Sequence, residues 1–293
     1  GEPLCIVGES GCGKSMTALA LLQLLPEAAS IASGRIAIDG EDFLAMGQRQ
    51  VEDLRGEKIA MIFQEPLTAL NPVLRIGEQI AEAVRQHRRG GRSQAWERAV
   101  EALRLVQMPD PERRAGQFPH ELSGGMRQRA MIALALACEP KIIIADEPTT
   151  ALDVTIQAQI LGLISDLQKR LGTAQILITH DLGVVSEVAD RVIVMYAGRK
   201  VEEANIYDLF DAPIHPYTIG LMGAAPRAGA SSEAGDRLAD IGGTVPPLWD
   251  LPKGCAFAPR CPNASERCRQ ERPPLEEKRP GHWAACWEHD DAA

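Results

Sequence analysis

Residues 8–15 read Gly8-Glu9-Ser10-Gly11-Cys12-Gly13-Lys14-Ser15 and match the phosphate-loop pattern G-x-x-x-x-G-K-S/T at every fixed position. The pattern constrains the fold because its chemistry needs a buried strand on one side and a helix N-terminus on the other. The apolar run Pro3-Leu4-Cys5-Ile6-Val7 reads as that strand, and the Ala- and Leu-rich residues 16–25 read as that helix. Free backbone N–H groups and the helix dipole then favour an anionic phosphate between them. Lys14 is placed to reach the β- and γ-phosphates of a nucleoside triphosphate, and the Ser15 hydroxyl to ligate Mg²⁺.

Strands and helices alternate further along. Residues 33–39 and 58–63 read as strands, with Asp39-Gly40 as a turn. From about residue 66 to 138 the periodicity is helical, at 76–88, 93–106 and 124–137, which suggests a helical insert. Arg127 and Arg129 are expected to be exposed early in the last of these helices. Residues 141–148 read as a buried strand that ends in two carboxylates, Asp146 and Glu147. A helix at 154–171 closed by Gly172, a strand at 175–179 ending at His180-Asp181, and a hairpin around Ala197-Gly198 complete an α/β pattern with a parallel-rich sheet. Ligands bind at the carboxyl edge of such sheets. Asp146 there suits Mg²⁺ held through water, and Glu147 suits orienting or deprotonating an attacking water.

The chain has 293 residues and a formal net charge of −9, which argues against nucleic acid as a main partner. Its local basic stretch, 85–92, reads as a solvated loop, with an anionic-lipid or partner contact as the alternative. No apolar run approaches the roughly 20 residues that span a bilayer. The chain starts at Gly1, close before the phosphate loop, and an N-terminal segment with further strands is expected to be missing. Of seven cysteines, Cys5, Cys12 and Cys138 read as packing residues. Cys255, Cys261, Cys268 and Cys286 cluster at the spacing C-x₅-C-x₆-C-x₁₇-C. Four thiolates can hold an iron–sulfur cluster or Zn²⁺, with His282 and His289 as possible substitutes at zinc, and packed or oxidised thiols are the plain alternative. Residues 224–234 read as a linker, and the chain beyond 246 as a small appendage ordered by a cross-link rather than by a core.

Gln64, the turn Leu122-Ser123-Gly124-Gly125-Met126, Ala151-Leu152-Asp153 and His180 follow the phosphate loop and the Asp146-Glu147 strand end in order. This set resembles the ATPase subunits of ABC transporters over about residues 1–205. The resemblance implies a P-loop NTPase of the ABC type. Residues 1–65 and 139–205 would form a RecA-like ATP-binding core, 66–138 the helical signature subdomain, and 206–293 a C-terminal extension with the four cysteines. It also implies that two such domains meet head to tail, with ATP between one phosphate loop and the other signature. Gln64 would sense Mg²⁺ and the γ-phosphate, and His180 would contact the γ-phosphate. Asp153 would help form the dimer contact, while Ser123, Gly124 and Gly125 would meet the partner's nucleotide. Met126 departs from the family's usual Gln, and the aromatic residue that stacks on adenine in this family lies upstream of the phosphate loop, in the segment expected to be missing.

Residues 64–73, His215-Pro216-Tyr217-Thr218, and residues 254–261 with the following cysteines are similar to dipeptide and oligopeptide importer ATPases. That likeness implies ATP-driven peptide uptake at the cytoplasmic face of a bacterial inner membrane. The partners would be a paralogous ATPase subunit in a heterodimer, two transmembrane permeases and, indirectly, an external substrate-binding protein. It favours a 4Fe–4S cluster over zinc at the cysteines. An importer of nickel or another small solute is the alternative. A soluble ABC-type ATPase of DNA repair or translation is the rival of another class, and its coiled-coil or basic insert is not found here. A non-catalytic subunit would lack Glu147 or have a broken Ser123-Gly124-Gly125, and both are intact.

Overall fold

The computed structural model describes residues 1–88, 90–150, 152–224 and 241–287. Ala151, most of the expected linker at 224–234, and His289 lie outside them. In chain order the elements are β1 (Pro3–Val7), α1 (Lys14–Leu21), β2 (Ala37–Ile38), β3 (Glu41–Asp42), α2 (Gln48–Glu57) and β4 (Ile59–Ile62). Next come α3 (Pro66–Ala69), α4 (Ile76–His87), α5 (Arg92–Leu105), α6 (Pro111–Ala115) and α7 (Gly124–Leu136). Then follow β5 (Ile142–Asp146), α8 (Val154–Leu171), β6 (Ala174–Thr179), α9 (Leu182–Val188), β7 (Arg191–Tyr196) and β8 (Arg199–Asn205). The chain closes with α10 (Ile206–Asp211), α11 (Pro216–Ala224), α12 (Glu266–Gln270), β9 (Glu276–Arg279) and β10 (His282–Ala284). No helix among the described residues is long and apolar enough to cross a membrane.

The described chain forms two compact units. One comprises residues 1–2 and 16–177, the other 3–15 and 178–293. In the first, β4 and β5 run parallel, with Ile59 opposite Ile142 and Ile62 opposite Ala145. The stretch between these strands is helical, as its periodicity suggests. Ile76, Ile80 and Val84 of α4, Ala99 and Leu103 of α5, and Met131 and Ile132 of α7 are buried there. Gly77 lets α4 and α5 approach closely, since a Cβ at that position would come within 2.7 Å of the Trp96 ring.

Two elements of this unit are shorter than their sequence suggests. Helix α1 stops at Leu21, not near residue 25. Gln23 turns left-handed at φ 52°, and Leu24 N–H donates to Leu19 O at 2.8 Å while Gln23 N–H donates to Ala20 O at 3.0 Å. This is a Schellman ending built on Gln instead of Gly. Arg55 adds two donors, to Leu22 O and Gln23 O, both at 2.7 Å. Of the strand expected at 33–39, only Ala37–Ile38 pairs, against Glu41–Asp42. Asp39 and Gly40 between them both have positive φ, as a tight hairpin turn requires.

In the second unit β1 pairs parallel with β7, β7 pairs antiparallel with β8, and β8, β10 and β9 continue antiparallel. Ala197 and Gly198, at φ 45° and 77°, make the expected β7–β8 turn. The chain beyond 246 is not an appendage without a core. Strand β10 extends the sheet by pairing Ala284 with Glu202, and Phe257, Ala258, Cys268 and Cys286 are buried. The rings of Tyr196, Tyr217 and Phe257 pack on one another with centroids 4.6 to 5.4 Å apart. Three aromatic residues widely spaced in sequence thus supply an ordering force that local periodicity does not reveal.

Candidate active site

The second unit carries the phosphate loop between β1 and α1. Its glycines answer to the backbone: a Cβ on Gly8 would lie 2.2 Å from Met195 O, and Gly11 and Gly13 have φ of 80° and 97°. Lys14 is buried, and its ammonium folds back to donate to Gly8 O at 2.7 Å and Glu9 O at 3.1 Å. A positive charge is thereby held at the centre of the loop. The Cys12 thiol beneath it is pushed up by burial, with the Lys14 charge pulling the other way. Ser15 is exposed at the start of α1. His180 follows directly on β6 and is exposed, while Asp181 beside it caps α9 by accepting from Gly183 N–H at 2.8 Å.

The first unit carries the carboxylates. Because β4 and β5 are parallel and in register at Ile62 and Ala145, Gln64 and Glu147 each stand two residues past the same level. Gln64 Nε2 accordingly donates to Glu147 Oε2 at 3.2 Å, and Thr150 Oγ1 donates to the same oxygen at 3.1 Å. Glu147 adopts φ 42°, a left-handed conformation that costs a non-glycine residue on the order of 1–2 kcal/mol. Asp146 is buried at the end of β5. Gln128 of α7 braces the following turn by donating to Pro148 O.

Ser123 occupies the N-cap position of α7, exposed and without a side-chain cap bond. Gly124 and Gly125 open that helix, and a Cβ on Gly125 would come 3.1 Å from Ile156 Cγ2, so the glycine lets α7 begin against α8. Asp153 has a local role beyond the one the resemblance implies. It caps α8, accepting from Ile156 N–H at 2.9 Å. Arg127 and Arg129 are half-buried rather than exposed, since their guanidiniums satisfy loop carbonyls at Pro119 and Val106, 2.8 and 2.6 Å away.

The arrangement of the four clustered cysteines gives no support to the expected metal centre. Among the described residues no group of three His, Cys, Asp or Glu side chains could hold a metal ion. No disulfide joins any of the seven cysteines among the described residues. Cys255 N–H donates to Cys268 O at 2.8 Å, and burial raises the Cys255 thiol, with Cys268 and Cys261 adding to the rise. These thiols are neighbours without being a donor set. His282 is engaged elsewhere, 2.7 Å from the buried Glu202 carboxylate. Burial alone would raise Glu202. The hydrogen bonds it accepts, first from His282 and also from the N–H groups of Ile214 and His215, outweigh this and hold it low.

Sequence reasoning missed one feature of the loop. Glu9 is bound by Arg260 of the C-terminal region, and its N–H donates to the Tyr217 hydroxyl. An acid inside an anion-binding loop was the available signal, because it calls for a counter-charge.

The chain matches the ABC transporter family over residues 1–150. It matches the family described as oligopeptide/dipeptide transporter, C-terminal region, over residues 201–268. It is 58% identical over 294 residues to a probable peptide ABC transporter ATP-binding protein of Sinorhizobium fredii, across 99% of this chain and 87% of that protein. It is 50% identical to the oligopeptide transport ATP-binding protein OppD of Escherichia coli, across 98% of this chain and 84% of that protein. Among solved structures, a dimeric ATP-binding cassette in a post-hydrolysis state with ADP and phosphate aligns with a TM-score of 0.61 at 30% identity, over 70% of this chain and 85% of that one. The front half and the C-terminal region agree, and the chain belongs to the ABC transporter family as an ATP-binding ATPase subunit carrying the C-terminal region of oligopeptide/dipeptide transporters.

Proposed function

We propose that this chain hydrolyses ATP to power uptake of oligopeptides or dipeptides through membrane permeases, working at the cytoplasmic face of a bacterial membrane. The observation that carries the catalytic part is the Gln64–Glu147 pair, intact at the ends of neighbouring parallel strands. The C-terminal region and the names of the relatives support peptide as the cargo. The ABC ATPases use ATP and Mg²⁺. Ser15, Asp146 and Gln64 are the residues of this chain that would hold Mg²⁺, a hard ion suited to a hydroxyl, a carboxylate and an amide oxygen, and when bound it neutralises phosphate charge. Lys14 supplies a fixed positive charge to the phosphates. Glu147, held by Gln64 and Thr150, orients a water and accepts its proton on a carboxylate oxygen. His180 steadies the γ-phosphate.

Residues 1–65 and 139–205 serve as the nucleotide core, 66–138 as the helical signature subdomain, and 206–293 as the importer-type extension. Ser123, Gly124 and Gly125 act on the nucleotide of a second, paralogous ATPase subunit, and the dimeric cassette among the structural neighbours supports such pairing. The finer reading of Cys255, Cys261, Cys268 and Cys286 as a 4Fe–4S centre rests on their spacing and on the resemblance, not on a donor set. Metal analysis after anaerobic purification decides it: about four irons per chain support it, and neither iron nor zinc removes it. The transport reading is tested by purifying the full-length chain from solubilised membranes. Two permeases and a second ATPase should accompany it, with turnover stimulated by a peptide-loaded binding protein. A free ATPase stimulated by nucleic acid would contradict it.

A further inference from the structure

Glu9 puts a carboxylate inside a loop whose task is to attract phosphate, and the second unit answers that charge from the far end of the chain. Arg260 donates to both carboxylate oxygens, Nη1 to Oε2 at 2.7 Å and Nη2 to Oε1 at 3.0 Å. The guanidinium is itself pinned. Nη2 donates to Ile241 O at 2.8 Å and Nε to Gly242 O at 3.0 Å, and the group lies 5.8 and 5.9 Å from the ring centres of Tyr196 and Phe257. Its side chain is only 4% exposed, against 30% for Glu9. The main chain of Glu9 is held as well. Its N–H donates to the Tyr217 hydroxyl at 2.8 Å, and its carbonyl accepts from Lys14. Tyr217 is fully buried, and its amide is braced by His215 Nδ1 at 3.1 Å.

Every hydrogen-bonding part of Glu9 is thus engaged, two of the three by the C-terminal part of the chain. An unpaired carboxylate there would repel phosphate and compete for the Lys14 ammonium. Bidentate pairing with a buried arginine removes that charge and fixes the direction in which the carboxylate points. We infer that the C-terminal region is a working part of the nucleotide site, with Arg260 and Tyr217 as positioning residues that neutralise and aim Glu9 and so set the affinity of the phosphate loop for ATP. This rests on the reading of residues 8–15 as the ATP loop.

The test uses the full-length chain in its assembled transporter and measures the KM for ATP and kcat. Arg260→Gln should raise KM about tenfold and leave kcat at saturating ATP within about twofold, because the pair acts on binding and not on the water. Arg260→Lys keeps the charge but loses the two-point geometry, and should raise KM about threefold. In a Glu9→Gln background, Arg260→Gln should add less than about twofold, since no carboxylate is left to neutralise. An unchanged KM in Arg260→Gln, or an equal rise in both backgrounds, would overturn the inference. If Arg260→Gln does not fold, Arg260→Lys carries the test, and wild-type KM there has the same meaning. Lys14→Ala separates the two readings. Full ATP affinity in that variant removes the phosphate loop itself, whereas lost affinity there with unchanged KM in the Arg260 variants removes only the part given to the C-terminal region.

Discussion

The phosphate loop and the Ser123 turn are both glycine-rich segments that open a helix, yet they are finished in opposite ways. In the loop, Gly8 is pressed against Met195 O, Lys14 is buried on two loop carbonyls, and Glu9 is held by Arg260 and Tyr217. In the turn, Ser123 is exposed and makes no side-chain bond to the helix it starts. A loop that binds its ligand in its own chain gains from being preorganised there, because less order is lost on binding. A turn proposed to meet another chain's nucleotide would have its contacts completed by assembly, and an open face is what that role would require.

The largest effect is expected at Glu147, the group proposed to serve the chemistry, rather than in either segment. Glu147→Gln should bind ATP normally and lose about 100- to 10,000-fold in turnover, because the amide still bonds water but cannot take its proton. Near-normal steady-state turnover in the assembled transporter would remove Glu147 from that role.

Acid should next loosen the support of the loop. His215 is buried under Tyr217, and burial pushes its pKa down to about 4, with the Glu202 charge pulling upward. The folded value lies below the unfolded value of about 6.5, so as pH falls the unfolded chain takes up the proton first. The stabilisation is complete above pH 6.5 or so and is lost toward pH 4, about 3 kcal/mol in all. Urea unfolding followed from pH 7 to pH 4.5 should show a falling midpoint that flattens in His215→Gln, and parallel curves for the two proteins would contradict this.

A smaller loss is expected in Lys14→Ala, about 2 kcal/mol or roughly 30-fold in ATP affinity, since the loop then lacks its fixed positive charge. Titration with ATP measures it, and an affinity within about twofold of wild type would break the contrast between the two segments.

Much of this site is legible in the sequence because it is local. The loop glycines, the apolar strand running into Asp146-Glu147, and the Ala197-Gly198 turn each follow from a short pattern and its geometry. Gln64 meeting Glu147 follows from two parallel strands once their register is known, which spacing alone does not give. The pairing of Glu9 with Arg260 crosses 251 positions and leaves no periodic trace. The C-terminal region invited a metal cross-link because its cysteines are conspicuous and its core residues are not. Phe257 and Ala284 bury themselves on Tyr196, Tyr217 and strand β8 instead of on a periodic face of their own. Helix α1 ends early because Gln23 takes a left-handed turn that sequence reading assigns to glycine.

The central claim is that this chain binds ATP with its own phosphate loop and completes another chain's site with Ser123. Ser123→Arg, introduced into this chain alone in the assembled transporter, tests it most directly when photo-crosslinked ATP is counted on each ATPase subunit separately. Labelling of this chain should stay at the wild-type level, while labelling and hydrolysis at the partner's phosphate loop fall. Loss of labelling on this chain with the partner's site intact would contradict the account.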